Sequence, residues 1–86
     1  MKEKEVKVGA RVRCIDAIFK EDAELPFRMK EVILPKKGMV YTIRDSENGH
    51  TGGLGIRLKE IINKKFIFNK SGTKEPIFSI ERFELA

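Results

Sequence analysis

The sequence predicts an all-β fold, a small five-stranded barrel. First, the turn signal of Pro35 and Gly38 runs directly into a segment, residues 39–45, in which apolar and polar side chains alternate. Second, short strand-like segments bounded by turn residues recur as far as residues 83–85, and no stretch shows a sustained helical period. Third, a chain of 86 residues has room for one small core. Closure of the sheet removes edges that would invite aggregation, and an OB-type barrel is the alternative closed form.

The first part of the chain predicts a flexible polar tail over residues 1–7, followed by a single domain over residues 8–86. We predict the first strand at Arg11–Phe19, where Val12 and Cys14 alternate with charged neighbours. Asp16 interrupts the apolar face of this strand, so the strand is expected to bend or end near it. Its carboxylate needs a backbone N–H or an arginine as a partner, and we expect a structural rather than a catalytic role.

One long connection, residues 20–36, follows the first strand. Its first half is charged and Pro26 punctuates it, whereas its second half is rich in apolar side chains, with a single helical turn expected around Lys30–Ile33. Loops of this length in compact domains are functional or pack on themselves. The loop therefore either closes one end of the barrel or presents a surface to a partner.

The remaining elements are short. Residues 46–53 and 63–65 are predicted as turns, and Ile77–Ile80 fits either a single helical turn or an edge strand. The last segment is expected to pair back to the first strand. In chain order the predicted elements are a strand at Met39–Asp45, a strand at Leu54–Glu60, a strand at Phe66–Phe68, a turn at Lys70–Lys74 and a strand at Phe83–Leu85.

Several short motifs resemble those of small SH3-like barrel proteins from phages, prophages and bacterial genomes, most of them uncharacterised. The motifs are Gly9-x-x-Val12-x-Cys14-x-Asp16, Gly38-Met39-Val40-Tyr41-Thr42-Ile43, Gly53-Leu54-x-x-x-Leu58-x-Glu60, and Phe78 with Arg82-Phe83. The resemblance covers about residues 8–85 and implies a five-stranded SH3-like barrel. It implies no catalytic residues. Two segments, the loop at 20–36 and residues 66–74, are longer than a minimal barrel needs.

The apolar positions of the predicted strands define the expected core. The single cysteine cannot form an internal disulfide, and its position in a strand predicts a small buried hydrophobe. A reducing, cytoplasmic location is the corresponding expectation. The predicted core consists of Val12, Cys14, Tyr41, Ile43, Leu54, Ile56, Leu58, Phe66 and Phe83.

Charge patterning predicts a mixed, well-solvated surface. The chain carries 18 Lys and Arg against 13 Asp and Glu, a net charge of +5, with the two signs interleaved. Arginines 11, 13, 44 and 57 are predicted to alternate outward from the strands. No apolar run approaches the roughly 20 residues that span a bilayer, so no membrane partner is expected.

The first functional hypothesis is a protein-interaction module that uses the long loop. Apolar side chains in a loop indicate a partner surface, and small barrels bind peptides in aromatic-lined grooves between loops. We expect Phe27, Met29 and Tyr41 to line such a groove, with the carboxylates of the loop at its rim. Those carboxylates are Glu21, Asp22 and Glu24. An exposed strand edge makes a monomer or a weak homodimer the expected state.

The alternative hypothesis is weak nucleic-acid binding through lysines that fall in turns. If these turns gather at one end of the barrel, they form a rim that binds phosphates. The lysines concerned are Lys36, Lys37, Lys64, Lys65, Lys70 and Lys74.

Enzymatic function is not predicted, and neither a cofactor nor a metal is expected. His50 is the single histidine and falls in a glycine-rich turn far in sequence from Cys14, whereas structural zinc requires four Cys or His ligands. The glycines of residues 49–55 lack the Gly-Lys-Ser/Thr sequence and following helix of a phosphate-binding loop.

Overall fold

A computed structural model describes residues 1–49, 52–69 and 72–86. The strands within them are β1 (Arg11–Cys14), β2 (Val40–Asn48), β3 (Leu54–Leu58), β4 (Phe66–Phe68), β5 (Gly72–Lys74), β6 (Phe78–Ser79) and β7 (Phe83–Leu85). Single 3-10 turns lie at Glu3–Glu5, Met29–Glu31 and Ile80–Arg82, and the described residues contain no α-helix. The all-β prediction is confirmed.

Five strands form one antiparallel sheet in the order β6-β3-β2-β1-β7. Next to its β7 edge, Val12 of β1 lies opposite Tyr41 of β2 on one side and Leu85 of β7 on the other. The predicted return of residues 83–85 to the first strand is therefore confirmed. Strands β4 and β5 form a separate hairpin, in which Phe66 lies opposite Lys74.

Alternation of side chains determines which face of the sheet becomes the core. In β1, Val12 and Cys14 are buried while Arg11 is exposed, as a half-buried strand requires. Strand β3 differs, because four consecutive residues from Gly55 to Leu58 are buried. Ile56 and Leu58 join the core, whereas Arg57 is covered from the opposite side.

Eight of the nine predicted core residues are buried, all except Leu54, which is half-buried. Seven of the eight form one cluster, whereas Phe66 packs on Phe27 outside it. Ile61, Phe78 and Ile80 complete the cluster. Phe27 is also buried but lies outside this cluster, because it packs on aromatic side chains of the β4–β5 hairpin.

The first strand ends earlier than predicted, at Cys14 rather than at Phe19. After Cys14 the backbone N–H groups of Ile15 and Asp16 donate to the carbonyl of Arg82, so the chain leaves the ladder. Asp16 Oδ1 then accepts from Ile18 N–H at 2.9 Å and from Arg82 Nη1 at 3.2 Å. The prediction that Asp16 has a backbone N–H or an arginine as its partner is confirmed.

Residues 1–7, for which we predict a flexible tail, contain a 3-10 turn, and Met1 and Val6 pack against the core. One further element departs from the prediction. The turn predicted at Lys70–Lys74 contains strand β5 from Gly72 onward, because those residues pair with Phe66–Phe68; residues 70 and 71 lie outside the described part.

Both structures predicted as alternatives for Ile77–Ile80 occur, one directly after the other: a two-residue strand is followed by a 3-10 turn. Ser79 makes the transition by accepting the N–H of Glu81 on its hydroxyl. The helical turn expected around Lys30–Ile33 lies one residue earlier, at Met29–Glu31.

Candidate functional site

An apolar groove of about 460 Å³ lies between the loop that joins β1 to β2 (residues 15–39, the β1–β2 loop) and the region where β3, β6 and the β4–β5 hairpin meet. It occupies the position at which the sequence predicts a partner surface. Most of its wall is apolar, which is typical of sites that bind a ligand through contact area. Among the side chains that line it are Phe19, Phe27, Met29, Leu54, Phe68 and Ile77.

The segments at residues 20–36 and 66–74 pack on each other, and both contribute side chains to the lining of this groove. The ring of Phe27 lies 4.9 Å from that of Phe66 and 6.2 Å from that of Phe68, measured between centroids. Farther along, Ile33 N–H donates to Asn63 Oδ1 at 2.6 Å, and Asn63 Nδ2 donates to the carbonyl of Ile33 at 3.1 Å. The β1–β2 loop is thereby attached both to the β4–β5 hairpin and to the segment that precedes β4.

The carboxylates of the β1–β2 loop organise its backbone. Both oxygens of Glu21 accept from Met29 N–H at 3.2 Å, and Asp22 Oδ1 accepts from Glu24 N–H at 2.9 Å. Glu31 Oε1 accepts from Arg28 N–H at 2.7 Å. Such side-chain acceptors replace the ladder bonds that a loop lacks, so these acids hold the loop in a defined conformation.

The rim of carboxylates predicted around the groove is only partly formed. Asp22 lines the groove, whereas Glu21 lies with Asp22 and Glu31 along a second depression that is lined by residues of the loop. Glu24 contributes its backbone N–H to Asp22. Phe27 and Met29 line the groove as predicted.

Tyr41 is in the core instead of the groove. Only 7% of it is exposed, and its hydroxyl accepts the N–H of Lys36 at 2.9 Å. Its place in β2 explains this, because Tyr41 and Ile43 share the inward face of the strand.

The floor of the groove depends on a close approach of two strands. A Cβ atom on Gly55 would lie 2.6 Å from Ile77 Cδ1, so a side chain at this position would displace Ile77. At the end of the floor, Phe19 meets Phe78 edge-on with centroids 6.0 Å apart, and the guanidinium of Arg82 lies 3.9 Å from the Phe19 ring centroid. Arg82 therefore fixes an aromatic wall through a cation–π contact.

An ionic cluster that the sequence did not predict attaches the hairpin to the sheet. Arg57, expected to point into solvent, is 8% exposed and donates from Nε and Nη2 to the carbonyl of Glu75 at 3.0 and 2.8 Å. Its Nη1 and Nη2 also donate to Asp45 at 3.1 Å and Glu47 at 2.8 Å. The side chain of Glu75 accepts from Arg44 at 2.7 Å, and Lys74 pairs with Glu47.

The charges of this cluster stabilise one another. Hydrogen bonds from Lys74 and then from Arg57 hold the pKa of Glu47 below its usual value. All buried side-chain polar atoms in the described residues have a hydrogen-bond partner. The cluster (Arg44, Asp45, Glu47, Arg57, Lys74 and Glu75) is therefore a satisfied structural network that holds one wall of the groove. The alternation of acids in β2 opposite an arginine in β3 was its only signal in the sequence.

The described lysines of the alternative hypothesis differ in their surroundings. Lys74 belongs to the ionic cluster and lies 5.7 Å from the Phe68 ring centroid, and Lys64 Nζ lies 5.1 Å from that of Phe66. Lys36, Lys37 and Lys65 are exposed. Lys70 lies outside the described residues.

Groups suited to metal binding or covalent chemistry are not assembled in the described part of the chain. Cys14 is buried, and burial raises the pKa of its thiol. His50 lies outside the described residues. Among the residues that are described, no three His, Cys, Asp or Glu side chains are grouped so as to hold a metal ion.

No helix in residues 1–49, 52–69 or 72–86 has the length and apolar character needed to cross a membrane.

Comparison of the chain with protein-family models, with curated proteins and with solved structures gave no match in any of the three.

Proposed function

We propose that this protein is a small non-enzymatic binding module with an SH3-like barrel, which holds an extended peptide segment of a partner protein in the groove. The observation that carries the proposal is the groove itself: an open apolar channel to whose walls the two segments that a minimal barrel does not need both contribute. Small barrels recognise peptides in aromatic-lined grooves of this kind.

The strand order supports the barrel. The two outer strands of the five-stranded sheet, β6 and β7, are consecutive in the chain and are separated only by the 3-10 turn at Ile80–Arg82. So short a connection keeps the two edges of the sheet close together, which favours closure.

The construction of the loop supports binding. A loop held by its own carboxylates and by the Ile33–Asn63 hydrogen bonds presents a preformed surface. A preformed surface binds with a smaller loss of conformational entropy than a flexible one. The buried thiol of Cys14 fits a reducing compartment, and we place the module in the cytoplasm.

Two methionines provide a matched test. Met29 lines the groove, whereas Met39 lies outside it and is 54% exposed. Peptides are selected from a displayed random library on the wild-type protein, and their affinities are measured for Met29→Gln and Met39→Gln. Loss of the apolar contact at Met29 should weaken binding by about tenfold, equivalent to about 1.4 kcal/mol. Met39→Gln should bind like the wild type.

The proposal fails if no peptide is enriched over a blank surface, or if the two variants bind equally well. Both variants should retain the wild-type fold, because Met29 is only half-buried and Met39 is exposed. Circular dichroism checks this for each variant.

A second candidate, weak nucleic-acid binding, rests on lysines that flank the Ile33–Asn63 junction. Lys36 and Lys37 follow one side of this junction, and Lys64 and Lys65 follow the other. Within the described residues none of the four forms an ion pair with a carboxylate. Binding to single-stranded DNA or RNA that weakens steeply with salt would support this function, and absence of binding at low salt would exclude it.

A further inference from the structure

We propose that Arg82 anchors a carboxylate of the bound peptide, so that the groove selects segments in which Asp or Glu side chains accompany large apolar ones. This inference rests on the proposed peptide-binding function and adds the chemistry of the partner. It starts from the hydrogen bonds of the Arg82 guanidinium.

Arg82 is held in place through one of its nitrogens. Nη1 donates to Asp16 Oδ1 at 3.2 Å, to the carbonyl of Asp16 at 3.4 Å and to that of Ile18 at 2.8 Å. The guanidinium plane is further fixed by the ring of Phe19, 3.9 Å from Cζ. Within the described residues, Nε and Nη2 donate no hydrogen bond.

Arg82 contributes to the wall of the groove, and Nε and Nη2 are its donors that make no hydrogen bond within the described residues. Its side chain is 25% exposed and belongs to the groove wall. An arginine whose plane is already fixed loses little conformational entropy when it binds a carboxylate through two parallel N–H donors. The adjacent rings of Phe19 and Phe78 offer apolar contacts for a neighbouring side chain of the same peptide.

The other charges of the groove wall favour the same ligand. Its charged side chains are Lys20, Lys74 and Arg82 against one acid, Asp22. The acids that pair with Lys74 and Arg82 are not in the groove wall, and Lys20 forms no ion pair within the described part of the chain. Asp22 already accepts the N–H of Glu24. The net charge of +5 also favours encounter with an acidic segment.

The positions of the cations favour acidic side chains over a free peptide C-terminus. Lys20 comes from the β1–β2 loop, Lys74 from β5 and Arg82 from the 3-10 turn after β6, so positive charge enters the groove from three separate elements. A C-terminus supplies one carboxylate, whereas an acidic segment supplies several.

The test uses three peptides that share the apolar residues of a peptide from the selection described above. One is amidated and carries Asp and Glu, one is amidated and carries Lys, and one is neutral and ends in a free carboxylate. Fluorescence anisotropy measures their affinities for wild-type protein, Arg82→Lys and Lys20→Glu. Arg13→Gln is the control, because Arg13 does not line the groove and belongs to a different ion pair, with Glu84.

We expect the acidic peptide to bind the wild type at least about tenfold more tightly than the lysine peptide, the size expected for one well-placed charge-assisted contact. Arg82→Lys keeps the charge but loses the two-donor geometry, so it should lower this preference about tenfold. Lys20→Glu should also reduce the preference, and because Lys20 makes no described contact that fixes the fold, it should leave the melting temperature unchanged. Arg13→Gln should behave as the wild type.

The outcomes separate this inference from the function on which it rests. If no peptide is enriched, the proposed function itself fails. If peptides bind without preference for acids, or bind only through a free C-terminus, the assignment of Arg82 is overturned while peptide binding stands. Binding of a single-stranded oligonucleotide that depends on Arg82, without peptide binding, overturns both.

Discussion

The substitution Gly55→Ala tests the floor of the groove, because the position leaves no room for a side chain. An alanine Cβ there would lie 2.6 Å from Cδ1, 2.8 Å from Cγ1 and 2.9 Å from Cβ of Ile77, whereas ordinary contacts begin at 3.4 Å. Rotation of the Ile77 side chain relieves only the first two contacts. The third requires the backbone next to Ile77 to move away from β3.

The expected cost follows from this overlap. Overpacking that forces a backbone shift costs about 1–3 kcal/mol. A domain of this size has a total stability of about 4–13 kcal/mol, at about 0.05–0.15 kcal/mol per residue. Each kcal/mol lowers the melting temperature by roughly 4–8 °C for a domain of 60–100 residues. The variant should therefore remain folded at room temperature and melt clearly below the wild type.

Thermal unfolding monitored by circular dichroism measures this difference, with Gly53→Ala as the matched control. A Cβ at Gly53 meets no heavy atom within 4 Å, so this variant should stay within about 0.5 kcal/mol of the wild type. Adding Ile77→Ala to Gly55→Ala removes Cγ1 and Cδ1, and the pair should be non-additive by about 1 kcal/mol or more. Equal melting temperatures for Gly55→Ala and Gly53→Ala would refute the packing on which the groove floor depends.

Three further outcomes are expected. Phe27→Ala should destabilise the protein by about 3 kcal/mol. Relative to the wild type, its amide hydrogen exchange should be accelerated more in the β4–β5 hairpin than in β1. An equal acceleration in both would mean that Phe27 belongs to the main core. Tyr41→Phe should cost about 1 kcal/mol in urea unfolding, because its hydroxyl accepts a backbone N–H, and an unchanged midpoint would argue against that bond. The lowered pKa of Glu47 means that its stabilising contribution is complete above its ordinary value of 4.5 and is lost as the pH falls through the folded-state pKa. Glu47→Gln should therefore flatten the acid limb of the stability profile, and an identical limb would contradict the pairing with Lys74 and Arg57.

The regular part of the fold was predictable because its signal is local. Val12 and Cys14 in β1, and Tyr41 and Ile43 in β2, alternate with polar residues, and such alternation assigns each side chain to a face. The return of Phe83–Leu85 to β1 was predictable for a different reason, since a short apolar strand at the end of a meander needs a partner.

The hairpin was only half predictable. Gly72-Thr73-Lys74 has the composition of a turn, and it becomes a strand because Phe66–Phe68 supplies the pairing partner. The burial of Phe27 depends on the same hairpin, which lies about forty residues farther along the sequence. Composition of the loop alone could not distinguish burial against a neighbour from exposure to a partner.

Charged residues were the least predictable, because their roles depend on distant contacts. Arg57 alternates with core residues and so should face solvent, but the chain segment at Glu75 covers that face and supplies a carbonyl acceptor. Glu21 and Asp22 were expected at a binding rim; both accept backbone N–H groups of their own loop, and of the two only Asp22 lines the groove. Sequence shows the presence of these charges but not the atoms they reach.

The most direct test of the central claim is chemical-shift mapping of a selected peptide by two-dimensional ¹⁵N–¹H NMR on the full chain. If the groove holds the peptide, the amides of Met29, Leu54, Phe68 and Arg82 should shift in a saturable manner, while those of Lys36 and other residues outside the groove stay unchanged. Saturable shifts confined to the turns that carry Lys36, Lys37, Lys64 and Lys65, with none in the groove, would contradict the claim.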